Sequence, residues 1–435
     1  MAYLTRSIEP RLRALLNEVP AVLLTGPRAS GKTTTARRFA RSVVQLDVPS
    51  VGGIFRQAPD VALRDLAEPV LVDEWQAAPE VIGAIKRAID QDARPGRFIL
   101  TGSASVDLAG STWPGTGRII RLAMTGLTER EIDRHIEMPS FVDALLDERQ
   151  PLLAVSTTLD VADYVDLSLR GGFPAPALRL SQATRTDWFE SYLEECFARD
   201  IPALRPIRDP ARLRRLFTAM AANTAGVVDD KTLHDAAQLD RKTALVYESL
   251  FEAVGITDQV PSFTTNRLKR LTERPKRYVA DLGLVGAVLS LDRGTVVRDG
   301  NLLGRIIETF VYTQLRAETA QALTQRGRLH HLRTEAGRQE IDVIIDLGPR
   351  GVIAIEVKAA GAPDHHDARH LRWLKSELGD QVTAAVILHT GGHGYALGED
   401  VLALPIATLW NTQPTKIGRV NQFELGQEAN PRNEV

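Results

Sequence analysis

The first hundred residues alternate between short apolar runs and longer segments whose apolar positions recur at helical spacing. "AVLLTG" (21–26) is apolar up to a glycine and is followed by the helical pattern "KTTTARRFARSV". "SVVQLDV" reads as a second strand. "EPVLVDEWQ" is apolar to Val72 and then abruptly acidic. "PEVIGAIKRAIDQD" is amphipathic with a helical period, and "GRFILTGSAS" is another apolar run ending in small polar residues. Apolar runs without alternation suit strands buried on both faces, and their interleaving with helices predicts a parallel α/β sheet covered on both sides.

Beyond this unit the pattern changes twice. From Phe141 to Pro206 it is helical, broken by "LRGGFPAPAL". "RLRRLFTAMAANTAG" through "LFEAVGI" then predicts three short helices. Two strand-like segments follow, "ITDQVPSFT" and "KRYVADLGL", joined by the basic "NRLKRLTERP". Three helices and a hairpin predict a winged helix. The helix "LLGRIIETFVYTQLRAET" opens a last unit with the strands "EIDVIIDLG", "GVIAIEVKA" and "VTAAVILHT". The expected division is residues 1–138, an α/β P-loop domain; 139–206, a helical lid; 207–292, a winged helix; 293–415, an α/β domain; and 416–435, a polar disordered tail.

Composition narrows the picture little. The 435 residues are 44% hydrophobic and 25% charged, ordinary for globular chains, and the net charge of −2 gives no global field for nucleic acid. Binding to DNA must come from a local patch. The single cysteine, Cys196, excludes an intrachain disulfide and cysteine-built zinc sites. "MAYLTRSIEPRLRALL" is charged and amphipathic, unlike a signal peptide, and no apolar run nears the ~20 residues of a membrane span. The expectation is a cytoplasmic protein with no membrane partner.

Gly26, Gly31, Lys32 and Thr33 fit G-x-x-x-x-G-K-[ST], between a strand and a helix. Glycine lets the backbone curl its N–H groups around phosphate oxygens, lysine brings a point charge, and the hydroxyl ligates Mg²⁺. Pro27, Arg28, Ala29, Ser30 and Thr34 complete the expected cradle for ATP or ADP. Asp73 and Glu74 end a buried strand, where the aspartate can hold Mg²⁺ with Thr33 and the glutamate can orient a water; a helix-capping acidic pair is the other reading. Thr101 and Ser103 read equally as a γ-phosphate sensor or a turn.

The order "GPRASGKTT", "LVDEWQ", "ILTGSAS" and "GRIIRLAMTGLTEREI" resembles the AAA+ ATPases of bacteria and archaea that carry a C-terminal nuclease-like domain, and the resemblance covers most of the chain. It implies an Mg²⁺-dependent ATPase that assembles as a homo-oligomer. By the same resemblance Arg118 is an arginine finger, where the residues alone read equally as a surface arginine. Pro174, in "RGGFP", becomes a lid contact to the nucleotide.

Two further groups carry chemistry. Arg267, Lys269, Arg270, Arg274, Lys276 and Arg277 concentrate positive charge on the expected wing, and Arg241 and Lys242 start the expected base-reading helix. DNA contact and protein docking remain open here. In the last unit, Asp342 precedes Glu356 and Lys358, which are two apart on a strand and so share a face. This resembles the Asp…Glu-x-Lys set of the restriction-endonuclease-like fold. The resemblance implies Mg²⁺ on Asp342 and Glu356, Glu308 as an added ligand, and Lys358 beside the attacking water. A Glu356–Lys358 salt bridge is the alternative. The expected function is an ATPase whose nucleotide state controls this domain, or a nucleotide-dependent switch whose later domains dock another protein.

Overall fold

The computed structural model describes residues 3–102, 116–147, 149–207, 209–264, 274–322, 327–334 and 338–413. The expected tail, Ser103, Arg267, Lys269 and Arg270 lie outside these.

The first unit is a parallel five-stranded sheet of β1 (Ala21–Thr25), β2 (Ser42–Gln45), β3 (Val70–Asp73), β4 (Phe98–Thr101) and β5 (Ile119–Ala123), in the order β2-β3-β4-β1-β5. Successive residues of β1 face opposite ways into two separate cores. Ala21 and Leu23 join Trp75, Ile82 and Ile85, while Val22 and Leu24 join Ile8, Leu12 and Leu16 of the N-terminal helix α1 (Glu9–Glu18). This is why the strands read as unbroken apolar runs. Because the strands are parallel, the residues after β1, β3 and β4 all emerge at one edge.

Helices Phe141–Asp147, Arg149–Leu153, Val161–Arg170, Pro174–Arg179 and Gln182–Glu195 follow, the last running into a π-helical turn at Cys196–Asp200. Next come helices Pro210–Ala222, Asp230–Ala236 and Arg241–Val254. An antiparallel hairpin follows, of β6 (Thr257–Val260) and β7 (Lys276–Val279), with Thr257 opposite Val279 and Val260 opposite Lys276.

After the 22-residue helix Gly300–Gln321 come β8 (Arg328–Arg333), β9 (Glu340–Asp346), β10 (Val352–Lys358), β11 (Val382–His389), β12 (Tyr395–Leu397) and β13 (Val401–Pro405). They form a six-stranded mixed sheet in the order β12-β13-β11-β10-β9-β8. Strands β8, β9 and β10 are an antiparallel meander, and β10 pairs parallel with β11 across the helix Arg369–Leu378.

One hydrophobic core runs from Leu213, Phe217 and Phe251 in the middle helices, through Val285 and Phe310, to Val343, Ile355, Val386 and Trp410 of the last unit. The middle helices and one face of the C-terminal sheet therefore share an interior. The other face packs on Leu371 and Leu374. Among the described residues no helix is long and apolar enough to cross a membrane.

Candidate nucleotide site and a second charged cluster

The loop after β1 bends through backbone conformations that favour glycine at two positions. Gly26 has φ 149°, and a Cβ there would lie 2.1 Å from the Met124 carbonyl oxygen; Gly31 has φ 95°. Ala29 also sits at positive φ, 60°. Lys32 opens the short helix α2 (Lys32–Ala36), is buried, and donates from Nζ to the carbonyls of Gly26 (3.0 Å) and Pro27 (2.8 Å). Burial pulls its pKa down to about 8, against the opposing pull of Glu74 and Asp73. Arg28, Ala29 and Thr34 are exposed, whereas Ser30 is fully buried with a hydroxyl that finds no hydrogen-bond partner among the described residues. Such an orphan, beside a curled backbone, suits a loop that completes its hydrogen bonds around an anion.

The ends of β3 and β4 face this loop. Thr33 donates from Oγ1 to Asp73 Oδ1 at 2.7 Å, and Thr101 donates to the same carboxylate. Thr33 and Asp73 are the pair that would hold Mg²⁺, and the carboxylate-plus-hydroxyl donor set fits that hard cation. Glu74 sits at φ 52° and accepts from the Gln76 amide; burial raises its carboxyl pKa.

Three later segments lie against the loop. Pro174 starts its helix 3.7 Å from where a Gly31 Cβ would be, and the Gly255 corner after Arg241–Val254 comes similarly close to Pro27. Asp200 pairs with Arg28 at 2.8 Å, while Arg199 pairs with Glu195 instead of Asp200. Asp281 fixes the Pro174 turn by accepting from the Gly172 N–H at 2.7 Å, and also from the Gly283 N–H at 2.8 Å.

Arg118 lies elsewhere. Strand β5 runs parallel to β1 with Ile119 beside Ala21, so Arg118 sits at the sheet edge opposite the loop, about 13 Å of strand away. There it pairs with Asp90 at 2.5 Å. It does not reach the loop of its own chain.

Sequence reasoning missed Arg6. Its buried guanidinium donates to the carbonyls of Ser30, Thr125 and Gly126, each at 2.9 Å, and lies 3.1 Å from Glu131. A lone arginine in an amphipathic segment gives no motif to read.

The basic wing requires a correction. Arg241 and Lys242 are exposed on the first turn of their helix, behind the capping Asp240. Lys276 and Arg277, however, are buried. Arg277 is held by Asp230 (2.6 Å) and Glu248 (3.1 Å), and Arg274 lies 3.5 Å from Asp229. Strand β7 is covered on both faces, so neither Lys276 nor Arg277 meets phosphate here.

Lys276, 2% exposed, instead enters the expected C-terminal site, 2.5 Å from Glu308 and 3.2 Å from Asp342. Burial opposes its charge but the two carboxylates outweigh it, and its pKa is raised. Burial and Asp342 push Glu308 up to about 7. The second Asp342 oxygen accepts the Val357 N–H at 2.9 Å. Glu356 is buried beside Asp342, and burial and that neighbour raise its pKa.

Lys358 points to Asp367, 3.7 Å away, so the Glu356–Lys358 bridge is not the arrangement found. The helix Gly300–Gln321 and the strands β9 and β10 thus bring Glu308, Asp342 and Glu356 near one another. Yet among the described residues no group of three or more acidic, histidine or cysteine side chains is arranged to hold a metal ion. As folded, the cluster does not fit the expected Mg²⁺.

Comparison with known proteins matches three stretches of the chain. Residues 18–133 match a family model described as an AAA domain; 161–295 and 303–409 match models described only as domains of unknown function (DUF8612 and DUF4143). Uncharacterized proteins of Mycobacterium tuberculosis and Mycobacterium bovis are 28% identical over 413 residues, covering 94% of this chain and 85% of theirs. The Walker-type ATPase of Pyrococcus abyssi aligns over 66% of this chain and 96% of its own, at 15% identity and a TM-score of 0.39. The McrB AAA+ hexamer assembly with McrC from Thermococcus gammatolerans aligns at 12% identity and a TM-score of 0.17, over 45% and 47% of the two chains. Residues 18–133 are thus similar to AAA domains, and they fold into the covered parallel α/β sheet that such a domain has.

Proposed function

We propose that the protein binds MgATP at Gly26–Thr34 and hydrolyses it, and that its nucleotide state governs the middle helices and C-terminal unit. The observation that carries this is the meeting of Lys32, Thr33, Asp73 and Thr101 at one sheet edge, with Pro174, Asp200 and Gly255 leaning on the same loop. A triphosphate needs the space around Arg28 and Pro27, so its arrival is felt by all three segments. Lys32 neutralises the β- and γ-phosphates, Thr33 and Asp73 hold Mg²⁺, and Glu74 orients water. Arg118 serves as a finger only toward a neighbouring copy, which makes a homo-oligomer part of the reading.

Glu74→Gln keeps nearly the same shape and removes the carboxylate. It is expected to leave MgATP affinity within about threefold while phosphate release falls by about 10²-fold or more. Titration with a fluorescent ATP analogue and steady-state phosphate release read the two effects separately. Unchanged hydrolysis would remove Glu74 from the reaction.

A second reading, DNA contact through the three-helix-and-hairpin module, is favoured by the exposure of Arg241 and Lys242 at a helix start. If it holds, the Arg241→Ala/Lys242→Ala pair lowers the salt slope of duplex binding by about two in fluorescence anisotropy. An unaltered slope rejects these two residues as phosphate contacts. Cleavage by Asp342, Glu356 and Lys358 is the reading that the cluster's geometry favours least.

A further inference from the structure

We propose that the ammonium group of Lys276 is the resident cation of the Glu308–Asp342–Glu356 cluster, standing where a divalent metal would, so that the cluster is a clasp between the β6–β7 hairpin and the C-terminal sheet. The lysine comes from a different part of the chain than the carboxylates, 66 residues before Asp342. It is buried, and its Nζ lies within hydrogen-bond distance of two of the three acids.

The surroundings are built around it. Tyr278, two residues along and therefore on the same face of β7, donates to the same Glu308 oxygen as Lys276, at 2.7 Å. Its ring stacks on Tyr312 with centroids 3.8 Å apart and planes 11° apart, and the Tyr312 hydroxyl reaches Asp258 on β6. The hairpin is thus fixed to the helix Gly300–Gln321 by both of its strands. On the other side, Asp342 gives one oxygen to Lys276 and the other to the Val357 N–H. A divalent ion binding all three acids must first expel the ammonium, and with it β7.

Three carboxylates gathered with little access to water need a compensating positive charge. Lysine supplies it as a charge tethered to the chain, where a free ion would exchange with solvent and compete with protons for the carboxylates. This inference does not rest on the nucleotide reading, and its test uses no nucleotide.

The test is Mn²⁺ binding to the full chain, followed by electron paramagnetic resonance. Wild-type protein is expected to show no Mn²⁺ site that depends on Asp342. Lys276→Gln is expected to gain one site per chain, with affinity tightened by about tenfold or more over wild type. Adding Asp342→Asn to Lys276→Gln should abolish the gain. A wild-type Mn²⁺ site that Asp342→Asn removes would overturn the proposal, as would folded Lys276→Gln protein that binds no more Mn²⁺ than wild type. If Lys276→Gln does not fold, Asp342→Asn is melted in EDTA and in Mn²⁺. An equal fall in Tm under both conditions supports the lysine, and a fall confined to Mn²⁺ refutes it.

Discussion

Lys32→Ala protein is expected to bind MgATP about 10²–10³-fold more weakly than wild type, with hydrolysis lost in parallel. The lysine is buried at the base of the loop, and its ammonium is held by the Gly26 and Pro27 carbonyls, so the fold keeps a charge waiting for a ligand. Truncation leaves the cradle without that charge, whereas the two glycines still shape the backbone.

The same lysine sets a pH signature. Burial brings its pKa to about 8 in the protein without nucleotide, and a triphosphate alongside favours the charged form. Binding therefore takes up protons: little at pH 7, where the lysine is already mostly charged, and about half a proton per site near pH 8. Above that, affinity falls as pH rises. Calorimetry in buffers of differing ionisation enthalpy reads the uptake directly. Proton release at pH 8, or equal uptake in Lys32→Ala protein, would contradict the assignment.

Arg6→Met is expected to lower stability by about 3–5 kcal/mol, because it strips a buried carboxylate of its partner. Glu131 is fully buried and accepts from the backbone of Ser7 (2.7 Å) and Thr128 (3.0 Å), but only Arg6 brings it positive charge within salt-bridge distance among the described residues. The same substitution frees the carbonyls of Ser30, Thr125 and Gly126, so the phosphate loop loses a brace as well. Denaturant unfolding measures the first effect and ATP affinity the second. Pairing Arg6→Met with Glu131→Gln should recover part of the stability and none of the bracing. A loss below about 1 kcal/mol for Arg6→Met would mean that Glu131 is compensated otherwise.

The loop and strand ends of the candidate nucleotide site are legible because their pattern is local. Eight consecutive positions, Gly26–Thr33, define the motif, and the apolar-to-acidic break at Val72–Asp73 marks a strand that ends beside it. Asp281 belongs to no motif of this kind, and its carboxylate accepts from the N–H groups of Gly283 and of Gly172, 109 residues earlier.

The acidic cluster shows where such reading stops. That carboxylates on strands as apolar as β9 and β10 need pairing or a metal followed from desolvation alone. Which partner they find depends on tertiary geometry. Lys276 sat within a run of basic residues that looked solvent-facing, and nothing in "RPKRYVADLG" distinguishes an outward lysine from an inward one. The burial of both faces of β7 decides it. Arg6 was illegible for the same reason, since its partners come from the loop at Ser30, from Thr125–Gly126 and from the short helix Glu129–Ile132.

The interior shared by Phe217, Phe251, Phe310 and Ile355 limits how this chain can be divided. Cutting near residue 292 would leave each piece with half of a common oily wall turned toward water. Recombination at that point would produce sticky fragments in place of interchangeable parts, so the helical middle and the terminal sheet can be traded between proteins only as a unit.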